Sequence, residues 1–308
     1  MDRGRVTGEI TYRFLQGAIL LMSHIPFKTG QFLGRALGAA AYVVPMERRG
    51  VLHENIRTSL GQNMEEKDIR ALARKVYSHF GRMLFEVPHI LRMTPQNVSE
   101  YVIFENSEIL ERALGKGKGV FVLTGHFGNW ELMSAAVAMR FGRAAVVARP
   151  IDFRPADRVI NELRGRFGTE IINKQRAMRR ILEAVREGKM VGILLDQNVD
   201  WYEGVFVNFL GKWACSNKGL AAIALKTGSP VIPCFSIRNR DGRYRVVFER
   251  EIELARTGDR TRDVEEGTIR FTNIIEKYIK DYPDHWFWFH RRWKTLPYCV
   301  IPDSDRNS

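Results

Sequence analysis

Residues 119–133 read GVFVLTGHFGNWELM, and the change of pattern inside this stretch decides the fold. Val120, Phe121, Val122 and Leu123 form a short apolar run of the kind a buried strand supplies. Gly125, His126, Phe127, Gly128 and Asn129 follow, with two glycines and an asparagine marking a turn. From Glu131 onward, Leu132, Met133, Ala136 and Met139 recur at helical steps. His126 therefore belongs to a strand-to-helix turn and Glu131 to the first turn of the next helix. A tight turn folds the carboxylate back onto the imidazole, an arrangement that suits a general base oriented by an acid. The same pair has a plainer reading: a histidine that packs or caps at a helix start, and a glutamate that complements the helix dipole. Gly128, followed by Asn129, lets another molecule approach the backbone closely, which places both among the candidate substrate-binding residues.

Outward from this stretch, strands and helices alternate. Helical patterns cover 106–114, 131–140, 155–167, 177–187, 217–227 and 264–282; apolar strands cover 120–123, 144–148, 170–172, 191–195 and 231–237. Helices of this length between such strands predict an α/β/α sandwich with a mostly parallel sheet. Residues 244–253 alternate polar and apolar, which predicts an edge or antiparallel strand and makes the sheet mixed. Ahead of this core, 48–92 reads as a helical layer with a loop near Gly61, carrying Leu72, Val76, Phe80, Leu84 and Val87 on one face. Three regions result: N-terminal helices over 1–47, a catalytic domain over 48–300, and a short flexible tail over 301–308.

Composition narrows the partners. The 308 residues hold 48 Lys and Arg against 35 Asp and Glu, a formal charge of +13. That excess calls for an anionic partner: nucleic acid, an anionic membrane surface, or an acidic protein or lipid. The N-terminal region carries Arg3, Arg5 and Arg13 beside two apolar stretches, 14–22 and 32–44, the second broken by Arg35. Neither reaches the roughly 20 apolar residues of a bilayer span. An interfacial helix or hairpin dipping into one leaflet is the reading preferred over a signal peptide or an ordinary core hairpin. Cys215, Cys234 and Cys299 are widely spaced and odd in number, so they read as small core residues in a reducing compartment. No HExxH, Walker A loop, GxSxG elbow or zinc-spaced Cys/His set occurs, and catalysis without metal or bound cofactor is the simplest inference.

Ligands of open α/β sheets gather at the carboxyl ends of strands. There the sequence places His126, then Arg149-Pro150, then Asp196-Gln197-Asn198. Arg149, Arg164 and Arg166 are candidates for holding an anionic acceptor or an oxyanion, or else form a solvated basic face. Asp196 is placed to brace a basic residue or to order the pocket. Phe206, Phe209 and Leu210 are read as lining an acyl tunnel or as core. The run WFWFHRRWK at 286–294 suits single-stranded nucleic acid or a membrane-interface belt.

His-x4-Glu after a strand resembles the glycerolipid acyltransferase superfamily, and the form HFGNWE resembles its bacterial lipid A branch, the lauroyl/myristoyl acyltransferases. The resemblance runs from about Arg48 to Lys294. It includes Arg149-Pro150 after the second core strand, Asp196-Gln197 at a strand end, the apolar segment 204–211, Val231-Ile232-Pro233, and the W-x-H-x-RW-K signature. It implies a glycerolipid-acyltransferase-like fold and an enzyme moving a fatty acyl chain from acyl-carrier protein to a hydroxyl of a lipid A precursor. It also implies a membrane-associating N-terminal region at the cytoplasmic face of an inner membrane. In this reading His126 is the base, Glu131 its orienting acid, and Arg164 (Arg166 competing) or a backbone N–H near Gly128 the oxyanion donor. Arg149, Asp196, Gln197, Phe206 and Phe209 lie on the substrate side, and no cofactor or nucleic acid is involved. A phosphatidylinositol mannoside acyltransferase is the neighbouring alternative, and a basic, non-catalytic membrane- or nucleic-acid-binding protein the alternative of another class.

Overall fold

The computed structural model describes residues 3–175 and 177–297. Cys299 and the tail region 301–308 lie outside the described residues. The chain starts with four helices, α1 (Arg3–Ser23), α2 (Phe27–Val43), α3 (Glu47–Thr58) and α4 (Glu66–Glu86). Pro26 separates α1 from α2 at the start of the second helix, where its missing N–H costs nothing. The α/β core then runs β1 (Val102–Glu105), α5 (Ser107–Gly115), β2 (Val120–Thr124), α6 (Trp130–Phe141), β3 (Ala144–Ala148), α7 (Arg154–Gly165), β4 (Glu170–Asn173), α8 (Ala177–Arg186) and β5 (Met190–Leu194). It continues through β6 (Gly204–Phe209), β7 (Lys212–Asn217), α9 (Gly219–Thr227), β8 (Val231–Arg238), β9 (Tyr244–Phe248) and α10 (Arg260–Asp281).

The main sheet has seven strands in the order β1-β9-β8-β2-β5-β3-β4. Every neighbouring pair is parallel except β8 with β9. β2 sits in the middle and is buried along its whole length, as an unbroken apolar strand must be when helices cover both faces. Val120 and Val122 pack with Leu132 and Met133 of α6, Leu110 of α5 and Leu163 of α7. Phe121 and Leu123 pack on the other face with Ile181 of α8, Leu220 and Ile223 of α9, and Phe271 and Ile275 of α10. The α/β/α sandwich with a mostly parallel mixed sheet is the fold expected from the sequence.

Differences are local. The segment 204–211, expected as an apolar loop, is half of the antiparallel hairpin β6–β7, turning at Leu210 and Gly211. α10 begins ahead of its apolar pattern because the Asp259 side chain caps the N–H groups of Thr261 and Arg262. Leu84, placed on the buried face of α4 by its spacing, is exposed. No described helix is long and apolar enough to cross a membrane. α1 packs against α7 and α2 packs closely on α4 through Gly34 and Gly38, while Phe14, Leu21, Phe32, Leu37 and Val43 of the two helices stay exposed.

Candidate active site

The β2–α6 turn is fixed from three sides. Asn129 caps α6 by accepting from the Leu132 N–H at 3.0 Å. Its own N–H donates to Ser236 Oγ (3.0 Å) and its amide donates to Glu86 (3.1 Å). The C-terminal strap runs antiparallel beside the turn: the Gly128 N–H donates to the His285 carbonyl at 2.9 Å, and the Phe287 N–H to the His126 carbonyl at 3.0 Å. Gly128 has φ +60°, and an added Cβ would stand 1.8 Å from the Ser236 carbonyl oxygen, so this position excludes any side chain.

The imidazole of His126 bonds to Asp196. Asp196 Oδ1 lies 2.8 Å from His126 Nδ1, while Oδ2 accepts the His126 backbone N–H and the Trp286 indole N–H, both at 2.8 Å. Burial alone would push the Asp196 carboxyl up; the charge and hydrogen bond of His126, then His290 and Trp286, outweigh it and hold it well below the usual carboxylate range. A wholly buried carboxylate acceptor at Nδ1 fixes the tautomer of the neutral ring, with the N–H on Nδ1 and the lone pair on Nε2. The side chain of Gln197 approaches Nε2 at 3.5 Å.

Glu131 is engaged elsewhere. Its carboxylate takes both Nε (2.9 Å) and Nη2 of Arg164, and also the Trp130 indole N–H (3.1 Å). The carboxylate bonded to the His126 imidazole is therefore not Glu131, as expected, but Asp196, 70 residues from the histidine, because helix α6 directs the Glu131 carboxylate toward α7. Burial favours the neutral form of Arg164, but the paired Glu131 outweighs it and raises its affinity for the proton.

The other candidates sort cleanly. Arg149 is exposed and pairs with Asp152 (2.9 Å) at the cavity edge. Arg166 donates to the Leu91 carbonyl (2.7 Å) and does not line the cavity, which leaves Arg164 as the arginine of the site. Asn129 is wholly buried with its polar atoms committed, so its role is to shape the turn, not to touch substrate. The Gly128 N–H is likewise taken by His285 and is not an oxyanion donor. Phe206, Phe209 and Leu210 do not line the cavity; Phe209 is buried against Trp286 and Trp293, since the hairpin packs toward the C-terminal strap. Cys215 and Cys234 are free and buried.

A cavity of about 1140 Å3 opens at His126 and is lined by Trp130, Glu131, Arg164 and Gln197 together with apolar residues such as Val122, Met133, Val137, Ile181 and Leu195. It exceeds the upper range of ordinary ligand pockets. One further cluster, His79, Asp284 and His285, gathers metal-ligating atoms within 4.8 Å of one another. Arg238 Nη1 stands 2.7 Å from His79 Nδ1 and the Arg238 backbone N–H donates to His285 Nε2, so Arg238 already engages one ring nitrogen of each histidine.

The sequence profile of the bacterial lipid A biosynthesis acyltransferase family matches residues 4–295. The chain belongs to that family. It is 25% identical over 289 residues to a lipid A biosynthesis palmitoleoyltransferase of Escherichia coli K12, covering 91% of this chain and 90% of that protein. It is 22% identical over 286 residues to the lipid A biosynthesis lauroyltransferase of the same organism, covering 91% and 90%. A phosphatidylinositol mannoside acyltransferase of Mycolicibacterium smegmatis is 22% identical over 221 residues, 70% of this chain and 69% of that protein. Membership sets the reaction class of this chain as acyl transfer.

Within this acyltransferase, sequence reasoning left the roles of Trp286 and His290 open and missed Glu86. Trp286 holds Asp196, and His290 lies between the carbonyls of Phe287 (2.6 Å) and Asp196 (3.1 Å). Glu86, wholly buried, accepts from Arg238, Tyr244, Asn129 and Gln31 and so ties α4, β8, β9, α2 and the β2–α6 turn together. The W-x-H-x-RW-K run was the available signal for the first two. Nothing local distinguishes Glu86 from any acid at a helix end.

Proposed function

We propose that this acyltransferase moves a fatty acyl group from an acyl-carrier-protein thioester to a hydroxyl of a lipid A precursor, with His126 as general base and Asp196 as its orienting acid. The carrying observation is the His126–Asp196 dyad opening on a large, mostly apolar cavity. Nε2 of His126 removes the hydroxyl proton as the oxygen attacks the thioester carbonyl; the C–O bond forms, the C–S bond breaks, and the imidazolium returns the proton to the leaving thiolate. The Asp196 carboxylate stabilises the imidazolium in between. Arg164, held by Glu131 through Nε and Nη2, lines the same cavity, and its cation would stabilise the developing oxyanion.

Charge and surface fit both partners. The +13 balance suits an acidic carrier and a phosphorylated acceptor, and Arg149, Lys174 and Lys218 stand at the cavity lining. The exposed apolar residues of α1 and α2 suit an anionic inner-membrane surface from which the acceptor is drawn. The likeness to the phosphatidylinositol mannoside acyltransferase favours another glycolipid acceptor as the second reading.

The test is transfer by purified protein, followed by mass spectrometry, with acyl-carrier-protein and acyl-coenzyme A donors and with either a phosphorylated, acylated glucosamine disaccharide or a phosphatidylinositol mannoside as acceptor. One added acyl mass on the disaccharide, dependent on the carrier-bound donor and absent in His126→Ala, is the expected result. Undiminished transfer by a folded His126→Ala protein overturns the mechanism; acylation of the mannoside alone overturns the acceptor.

A further inference from the structure

The cavity lies where the sheet itself parts. β5 pairs with β2 through Leu194, and β3 pairs with β4 through Ala148. Between β3 and β5, however, the ladder stops at Val146 and Gly192. From that last pair onward both strands change from buried to half-buried, although helices cover both faces of the sheet. The chain leaves β3 toward α7 on one face and leaves β5 toward α9 on the other, so this gap is a switch point of the topology, the place where open α/β sheets form crevices. The lining confirms that the space reaches both faces: Met133 and Val137 belong to α6 on the near side with His126, and Ile181 and Ile223 belong to α8 and α9 on the far side.

We infer that the donor's alkyl chain threads through the sheet between β3 and β5, its thioester at His126 and its methyl end against α8 and α9, and that Gly192 keeps this passage open. The inference rests on the acyl-donor reading above. At Gly192 an added Cβ would lie 3.4 Å from Val146 Cγ1 and 3.7 Å from the Ala145 carbonyl oxygen, ordinary contact for a methyl group. A larger side chain has to extend across the mouth of the gap. Gly192 is thus a specificity-determining position: its missing side chain admits long chains that a branched residue would stop.

The first experiment uses the unaltered protein and a hexadecanoyl-pantetheine thioester carrying a diazirine at its terminal carbons. Photolysis is expected to label residues 177–186 and 219–227. Labelling confined to residues 130–141, or none in the cavity while transfer proceeds, overturns the threading. The second compares hexadecanoyl with octanoyl donors in Gly192→Leu and in Ala222→Trp, which fills the far side. Each is expected to lower the ratio of long- to short-chain kcat/KM at least roughly tenfold. A ratio unchanged in both variants, with thermal melts showing them folded, overturns it; where a variant does not fold, the photolabel decides. Failure of the underlying reading looks different: the unaltered protein then transfers neither chain from a thioester.

Discussion

The bond between His126 Nδ1 and Asp196 is where the chemistry of single side chains is set. Removing the base in His126→Ala is expected to lower kcat about 10^2–10^4-fold with the melting temperature retained, measured by steady-state kinetics and calorimetry. Asp196→Asn offers an amide where an anion stood, so the favoured imidazole tautomer is lost and kcat is expected to fall by a similar factor while KM changes little. The same carboxylate carries a pH signature. Its affinity for protons is depressed on folding, so the unfolded chain binds more protons and the stabilisation is present above the ordinary aspartate range. It is lost as pH falls below about 4. Denaturant titrations from pH 7 down to pH 3 should show Asp196→Asn less stable at neutral pH, with the gap to the unaltered protein narrowing in acid. A gap constant over that range would contradict the assignment.

Secondary-structure elements explain why Glu131 does not serve His126. It sits in the first turn of α6, where a carboxylate complements the helix dipole, and its oxygens reach across to Arg164 near the end of α7. The pair is largely shielded from solvent, so Glu131→Ala leaves a buried, unpaired guanidinium. A loss of about 3–5 kcal/mol in unfolding free energy is expected, with much of it recovered when Arg164→Met is added. The exposed apolar residues of α1 and α2 make a separate prediction. Phe14→Ser with Phe32→Ser should weaken sedimentation with anionic phospholipid vesicles several-fold without lowering the melting temperature, because both side chains are exposed. Unchanged vesicle binding would detach these helices from the membrane.

Across the molecule, the β2–α6 turn that carries His126 is held by segments far apart in sequence: Glu86 at the end of α4, Ser236 on β8, and the C-terminal segment 285–287. Glu86 receives the Arg238 guanidinium in the interior, where burial would otherwise favour its neutral form. Glu86→Gln keeps the shape but removes the countercharge, and a destabilisation of about 3–5 kcal/mol is expected from denaturant unfolding. Gln31 of α2 joins the same carboxylate, so α2 and the β2–α6 turn share one anchor.

What the residues alone determined was everything carried by short-range pattern. The apolar run before Gly125, the helical spacing after Glu131 and the alternation that follows are local consequences of strand and helix periodicity, and they placed His126 at a strand end and predicted the α/β sandwich. The partner of His126 was a long-range matter. Glu131 is five residues away along the chain but turned toward α7, whereas Asp196 is 70 residues away and adjacent in space because β2 and β5 are paired. Periodicity cannot report which strands become neighbours, so Asp196 was legible as a strand-end acid placed to brace a basic residue, but not as the partner of His126. The hairpin β6–β7, the burial of Phe209 beneath Trp286 and Trp293, and the gap between β3 and β5 likewise depend on register and packing between distant segments. Those are decided when the chain buries its apolar surface as a whole.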